Sequence, residues 1–106
     1  MKDYVKSRKA INFDLSEHLL KLYYPSYNYK NSWKDIQKYL EEQDFIHRQY
    51  SGYVSKNSIS MTKLGYILDN MVQQYSWLKK CVKQFDITIV GDEYNLFHTI
   101  RHKDIS

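Results

Sequence analysis

Four short runs of β-type residues alternate with two amphipathic stretches, in the order strand, helix, strand, strand, helix, strand. That order predicts an α+β domain with helices on one face of a four-stranded antiparallel sheet. At 106 residues the chain has length for one domain and one core. The expectation is a single domain over 9–106 behind a flexible basic lead-in at 1–8.

The elements follow from the residues in order. Lys2, Lys6 and Arg8 beside Asp3 mark the lead-in as solvated chain. Ala10, Ile11, Phe13 and Leu15 then form an apolar run too short for an isolated helix and suited to a mostly buried strand, which puts Asp14 at a strand end. Ser16 to Leu22 has the content of a helical turn, but Pro25 and the surrounding Tyr23, Tyr24, Tyr27 and Tyr29 predict a long loop. Tyr29, Trp33, Ile36 and Leu40 recur at helical spacing, with Asn28 or Asn31 as N-cap, Lys34 and Lys38 on the opposite face, and Gln43 and Asp44 at the end.

Phe45 to Gln49 reads as a second strand, and Tyr50, Ser51 and Gly52 as a turn into a short strand around Tyr53, Val54 and Ser55. Ser58 is the expected cap of the next helix, whose stripe Met61, Leu64, Leu68, Met71, Val72 and Tyr75, flanked by Ile67, is assigned to the core. Trp77, Leu78, Cys81 and Val82 continue at helical spacing beyond a break at Tyr75 and Ser76. Phe85 to Val90 alternates and is rich in β-branched residues, a last strand closed by Gly91 and Asp92. Tyr94, Leu96, Phe97 and Ile100 suit a short C-terminal helix over Glu93 to Arg101. The arrangement is the βαββαβ order of a ferredoxin-like domain. Its second sheet face needs a cover, for which a second copy, the terminal segment or a nucleic acid are the candidates.

Composition narrows the function classes. A net charge of +4 favours anionic partners, although acidic residues are interspersed along the chain. Eleven tyrosines can pack a core and also stack on a base or donate to a phosphate. The one cysteine, Cys81, forms no internal disulfide, and the scattered histidines lack the spacing of a structural zinc site. No N-terminal segment reads as a secretory signal and no run approaches a membrane span, so the expectation is a cytoplasmic protein without a membrane partner.

Asp14 is the leading catalytic candidate. A lone strand-end carboxylate in a small basic domain full of aromatics is where Mg²⁺ or a polarised water would sit near a phosphodiester. Were the substrate RNA, it could be general base toward the 2′-hydroxyl, and were the chain a dimer, a second Asp14 could complete the metal site. The competing reading is a carboxylate that caps a loop or meets a lysine. Gln49, Ser51 and Tyr53 alternate, so in a regular strand they share a face that could bind phosphate or a base edge, or form a polar dimer surface. His47 shares that face, and Arg48 points the other way. Tyr24 and Tyr27, beside Tyr23, could stack on an unpaired base or pack the loop onto the domain. Lys79, Lys80 and Lys83 read as a solvated basic face.

Several of these segments resemble the virulence-associated protein D (VapD) family. The Ala-Ile-x-Phe-Asp-Leu strand of that family resembles Ala10 to Leu15, and its Tyr/Trp-x-Asp-Ile helix resembles Trp33 to Ile36 with Leu40, Glu41 and Glu42. Its Phe-x-x-x-Gln-Gly-Ser-x-Tyr segment resembles Phe45 to Tyr53, matching at Phe45, Gln49, Ser51 and Tyr53, and its later Trp resembles Trp77. The likeness covers residues 9 to 91. Tyr50 stands where the family has glycine, and Gln84 and Asp86 stand where it has an acidic-then-basic pair. The resemblance implies a ferredoxin-like fold similar to the small CRISPR adaptation nucleases, a homodimer, and endoribonuclease activity on single-stranded RNA. It further implies a toxin–antitoxin or virulence setting, with a cognate antitoxin as partner. A non-catalytic ferredoxin-like module that binds protein or nucleic acid is the competing class.

Overall fold

Strand β1 (Arg8–Leu15) shows how the sequence builds the sheet, since Lys9, Ile11, Phe13 and Leu15 are buried while Asn12 and Asp14 are exposed. A computed structural model of the chain describes residues 6–49 and 52–90, with Gln49 described by its backbone alone. After β1 come α1 (Glu17–Tyr23), α2 (Asn31–Glu42), β2 (Phe45–Gln49), β3 (Gly52–Ser55), α3 (Met61–Gln74), α4 (Leu78–Cys81) and β4 (Val82–Val90). The strands form one antiparallel sheet in the order β2-β3-β1-β4, the ferredoxin-like order.

The helices pack on the side of the sheet that carries Ile11, Phe13 and Leu15. There Ile36 and Leu40 of α2, Leu64, Ile67 and Met71 of α3, and Leu78 and Cys81 of α4 complete one apolar core. The Tyr39 hydroxyl donates to the Ile67 carbonyl at 2.6 Å, tying α2 to α3 inside that core. Val54 is buried but lies outside this cluster, on the opposite sheet face between its register partners Ala10 and Ile46.

Several local expectations are corrected. The segment read as a long loop contains α1, for two local reasons. The Ser16 hydroxyl accepts from the Leu19 N–H as N-cap, and Leu20 is fully buried. Tyr24 then turns extended, as the residue before Pro25 prefers. At the start of α2 the cap position is Lys30, without a side-chain capping bond, because the Asn31 N–H donates to the Asn28 carbonyl in a backbone turn. Asp44 ends that region in the left-handed conformation at φ 67°, which aspartate tolerates better than most residues. Ser60, not Ser58, caps α3 by accepting from the Lys63 N–H at 3.0 Å. Met61, in the first turn, is 44% exposed and stands outside the core stripe to which it was assigned.

The lead-in ends before Arg8, which already belongs to β1, while Ser7 bridges to Ile59. Lys9 is buried at 1% exposure, its Nζ donating to the Ser7 carbonyl, the Ser7 hydroxyl and the Ile59 carbonyl. Burial pushes its pKa down. Strand β4 starts at Val82 rather than Phe85, so Gln84 lies inside the sheet. On the helix-bearing side of this edge strand, Phe85, Ile87 and Ile89 remain 36%, 39% and 63% exposed. The expected helix over Glu93 to Arg101 lies outside the described residues.

Candidate active site

Asp14 sits near the end of β1, where strand alternation turns it to the face away from the helices. Its register partner in β4 is Gln84, while Leu15 pairs with Val82, so Lys83 is the extra residue of a β-bulge. Bulges bend a strand and re-aim side chains. Here Lys83 Nζ lies 3.8 Å from Asp14 Oδ2, with the two side chains 61% and 60% exposed. A pair so open to water contributes about 0–1 kcal/mol, so the ammonium can exchange this carboxylate for a phosphate at little cost. Further along the same face, the Gln84 amide donates to Asp86 Oδ2 at 2.9 Å, and Asp86 lies opposite Asn12.

Beside Asp14 a cavity of about 740 Å³ opens where β3 begins, at Gly52 opposite Asn12. The sheet contributes Asn12, Phe13, Asp14, His47, Gly52 and Tyr53. Glu17 enters from the start of α1, and Lys30, Trp33 and Gln37 from α2 and its cap. This volume falls within the range of roughly 300–1,000 Å³ typical of small-molecule sites.

Aromatic rings form a ladder across the sheet at this level. His47 of β2 stacks on Tyr53 of β3 with centroids 4.7 Å apart and planes 20° apart. Tyr53 lies 6.0 Å from Phe13 of β1 at 10°, and Phe13 lies 6.4 Å from Phe85 of β4 at 17°. Antiparallel register brings this about by pairing His47 with Tyr53 and Phe13 with Phe85. Tyr53 is 3% exposed, and burial, followed by the charge of Glu41, pushes its phenol pKa up to about 12. It therefore forms the cavity floor as a protonated phenol at neutral pH.

The other expected site residues are distributed as follows. Arg48 is exposed on the opposite sheet face, where it lines a second hollow with Arg8, Asn12 and Val54. Gln49 is described only by its backbone, pairing with Gly52 beside a register slip, and Ser51 and Tyr50 lie outside the described residues. Tyr24 is half-buried, its hydroxyl donating to Asp35 Oδ2 at 2.5 Å and its ring meeting Trp77 edge-on at 5.0 Å. Burial, and then Asp35, push the Tyr24 phenol pKa up. Tyr27 is 95% exposed on the connection between α1 and α2. Neither tyrosine lines the Asp14 cavity, and neither does Arg48.

Sequence reasoning missed Lys83, Glu17, Lys30 and Gln37 as site residues and read Trp33 only as part of the apolar face of its helix. One signal was available, since positions 30, 33 and 37 recur on one side of a helix. Lys83 gave no such signal, because its approach to Asp14 depends on the bulge.

Asp14 and Glu17 are the carboxylates of the cavity and would be its oxygen ligands for Mg²⁺. Among the described residues no group of three or more His, Cys, Asp or Glu side chains is placed to hold a metal ion. No described helix is long and apolar enough to cross a membrane.

No family model matches the chain. Among curated proteins it is similar to Endoribonuclease VapD 2 of Riemerella anatipestifer, with 25% identity over 91 residues covering 86% of this chain and 97% of the relative. The likeness is distant and runs over most of both chains, which supports a VapD-like relationship.

Proposed function

We propose that the protein is an endoribonuclease that cuts single-stranded RNA, with Asp14 as the general base. The observation that carries this reading is the exposed Asp14 carboxylate beside both Lys83 and an aromatic cavity. The distant likeness to a relative named as an endoribonuclease supports it.

In this scheme Asp14 takes the proton of a 2′-hydroxyl, and the freed oxygen attacks the adjacent phosphorus. The new O2′–P bond forms as the P–O5′ bond breaks, and the leaving 5′-oxygen takes a proton from water. The products are a 2′,3′-cyclic phosphate and a 5′-hydroxyl. Lys83 offsets the charge that builds on the phosphate oxygens. RNA must be single-stranded here because its base has to leave a helical stack to reach the cavity. If Mg²⁺ binds at Asp14, it would supply Lewis-acid stabilisation of the same phosphate.

The working unit is proposed to be a homodimer. Phe85, Ile87 and Ile89 make an exposed apolar row on the sheet edge, next to the strand that carries Asp14. Pairing two such rows would bury them and bring two Asp14 strands near the dyad.

The test compares wild type with Asp14→Asn on a labelled single-stranded RNA, in Mg²⁺ and in chelator, with identification of the product ends. Loss of the general base should reduce cleavage by about 10²–10⁴-fold. Because Asp14 makes only an exposed ion pair, the variant should keep its urea midpoint. Equal cleavage by both proteins refutes the assignment of Asp14. RNA binding without cleavage by wild type points instead to a non-catalytic module.

A further inference from the structure

We infer that Trp33 and Gln37 form a nucleobase-binding wall on α2, which holds one unpaired base of the RNA beside Asp14. The inference rests on the ribonuclease reading for the identity of the ligand as RNA. Its geometry stands on the cavity.

Lys30, Trp33 and Gln37 lie at i, i+3 and i+7 and line the cavity from the helix layer. They flank the side of α2 whose Ser32, Ile36, Tyr39 and Leu40 are buried, so this ridge faces the cavity at the margin of the core. Trp33 and His47 are both half-buried, each leaving part of a ring accessible from the cavity. Tyr53 and Phe13 beneath them are 3% and 7% exposed and form the floor. Aromatic surface on the helix side and the sheet side of one cavity suits a flat, π-faced ligand, and a nucleobase is such a ligand.

Polar groups on the same wall give this slot orientation. The Gln37 amide donates to Glu41 Oε2 at 3.2 Å in an exposed, weak bond, which leaves the amide free to turn to a base edge. Lys30, at the N-terminal end of the ridge, supplies a positive charge for the phosphate attached to that base. Asn12 and Asp14 border the other end, where the ribose and its 2′-hydroxyl would lie. The wall thus provides a reason for the cut to fall at a chosen nucleotide.

The test uses binding, so that it can fail independently of cleavage. A 2′-O-methyl tetranucleotide, which the 2′-hydroxyl route cannot cut, is titrated while tryptophan emission is recorded. Trp77 is buried, so an accessible signal comes from Trp33. Base-bearing oligonucleotide should quench emission saturably, and an abasic counterpart of equal charge should not. Trp33→Leu should lose the quench and weaken binding by about 5–150-fold, the range expected for one stacked base. Gln37→Ala, on a half-buried side chain that can be removed without disturbing the core, should level affinities among the four homopolymers. Asp14→Asn, whatever its affinity, should still be quenched at saturation by the base-bearing oligonucleotide and not by the abasic one, separating the wall from the chemistry. Equal quenching by the abasic oligonucleotide, or unchanged affinity and base preference in both α2 variants, would overturn the inference whether or not the protein cleaves.

Discussion

Replacing Tyr24 by phenylalanine removes one oxygen and separates two roles that a loop tyrosine can have. The ring keeps its edge-on contact with Trp77 at 5.0 Å, and only the hydroxyl bond to Asp35 Oδ2 at 2.5 Å is lost. A bond to a charged acceptor contributes about 1.5–3 kcal/mol, and the half-buried position of this one favours the lower end. The variant should lose about 1.5 kcal/mol, roughly 6–12 °C in melting temperature for a domain of this size. Alkaline titration gives a second reading. The unfolded chain releases a tyrosine proton near pH 10, whereas the folded chain holds those of Tyr24 and Tyr53 above that value, Tyr53 to about 12. Unfolding therefore releases these protons above about pH 10, so the stability that the two phenols contribute is constant below that pH and falls as it rises toward 12. Tyr24→Phe should make that fall shallower, measured by urea unfolding at a series of pH values. RNA affinity should stay unchanged, since Tyr24 lies outside the cavity. An unchanged melting temperature together with weaker RNA binding would refute the structural assignment and return Tyr24 to the substrate.

Tyr39→Phe should cost about 0.5–1.5 kcal/mol in urea unfolding, because the Ile67 carbonyl lies within α3, where the helix also supplies it with a partner from the following turn; a loss above about 3 kcal/mol would show that the bond carries more than one ordinary contact. Ile89→Glu should leave the folded subunit within about 0.5 kcal/mol of wild type, since the side chain is 63% exposed. It should weaken self-association at least tenfold in sedimentation, and a dimer of unchanged affinity would remove the β4 row from the interface.

The sheet was largely legible because its signal is local. The predicted bounds of β2 match Phe45–Gln49, and the apolar run Ala10 to Leu15 lies within β1 with Asp14 near its end. Helix α1 was hidden because a proline and several tyrosines outweighed two weaker signals, the Ser16 cap and the single anchor Leu20. What the sequence could not express was long-range pairing. Lys9 is buried because acceptors from Ser7 and from Ile59, 50 positions away, converge on its ammonium. Tyr24 meets Asp35, 11 positions away, only once the connection after α1 has turned into α2. Lys83 reaches Asp14 only through a slip in β1–β4 pairing.

The same strand pair explains how a carboxylate and an ammonium come to sit side by side in the open. A carboxylate beside a phosphate is repulsive unless a cation accompanies it, and the bulge keeps Lys83 at Asp14 without burying either charge. The pair therefore carries little desolvation cost before the substrate arrives. Phe85, three residues from the start of β4, joins the aromatic ladder through Phe13 and also begins the exposed row that ends at Ile89. Whatever covers that row also restrains one end of the ladder that floors the cavity. A dimer through β4 would thus do more than place two copies of Asp14 near one another. It would also steady Phe85 and, through Phe13, the rings that floor the cavity.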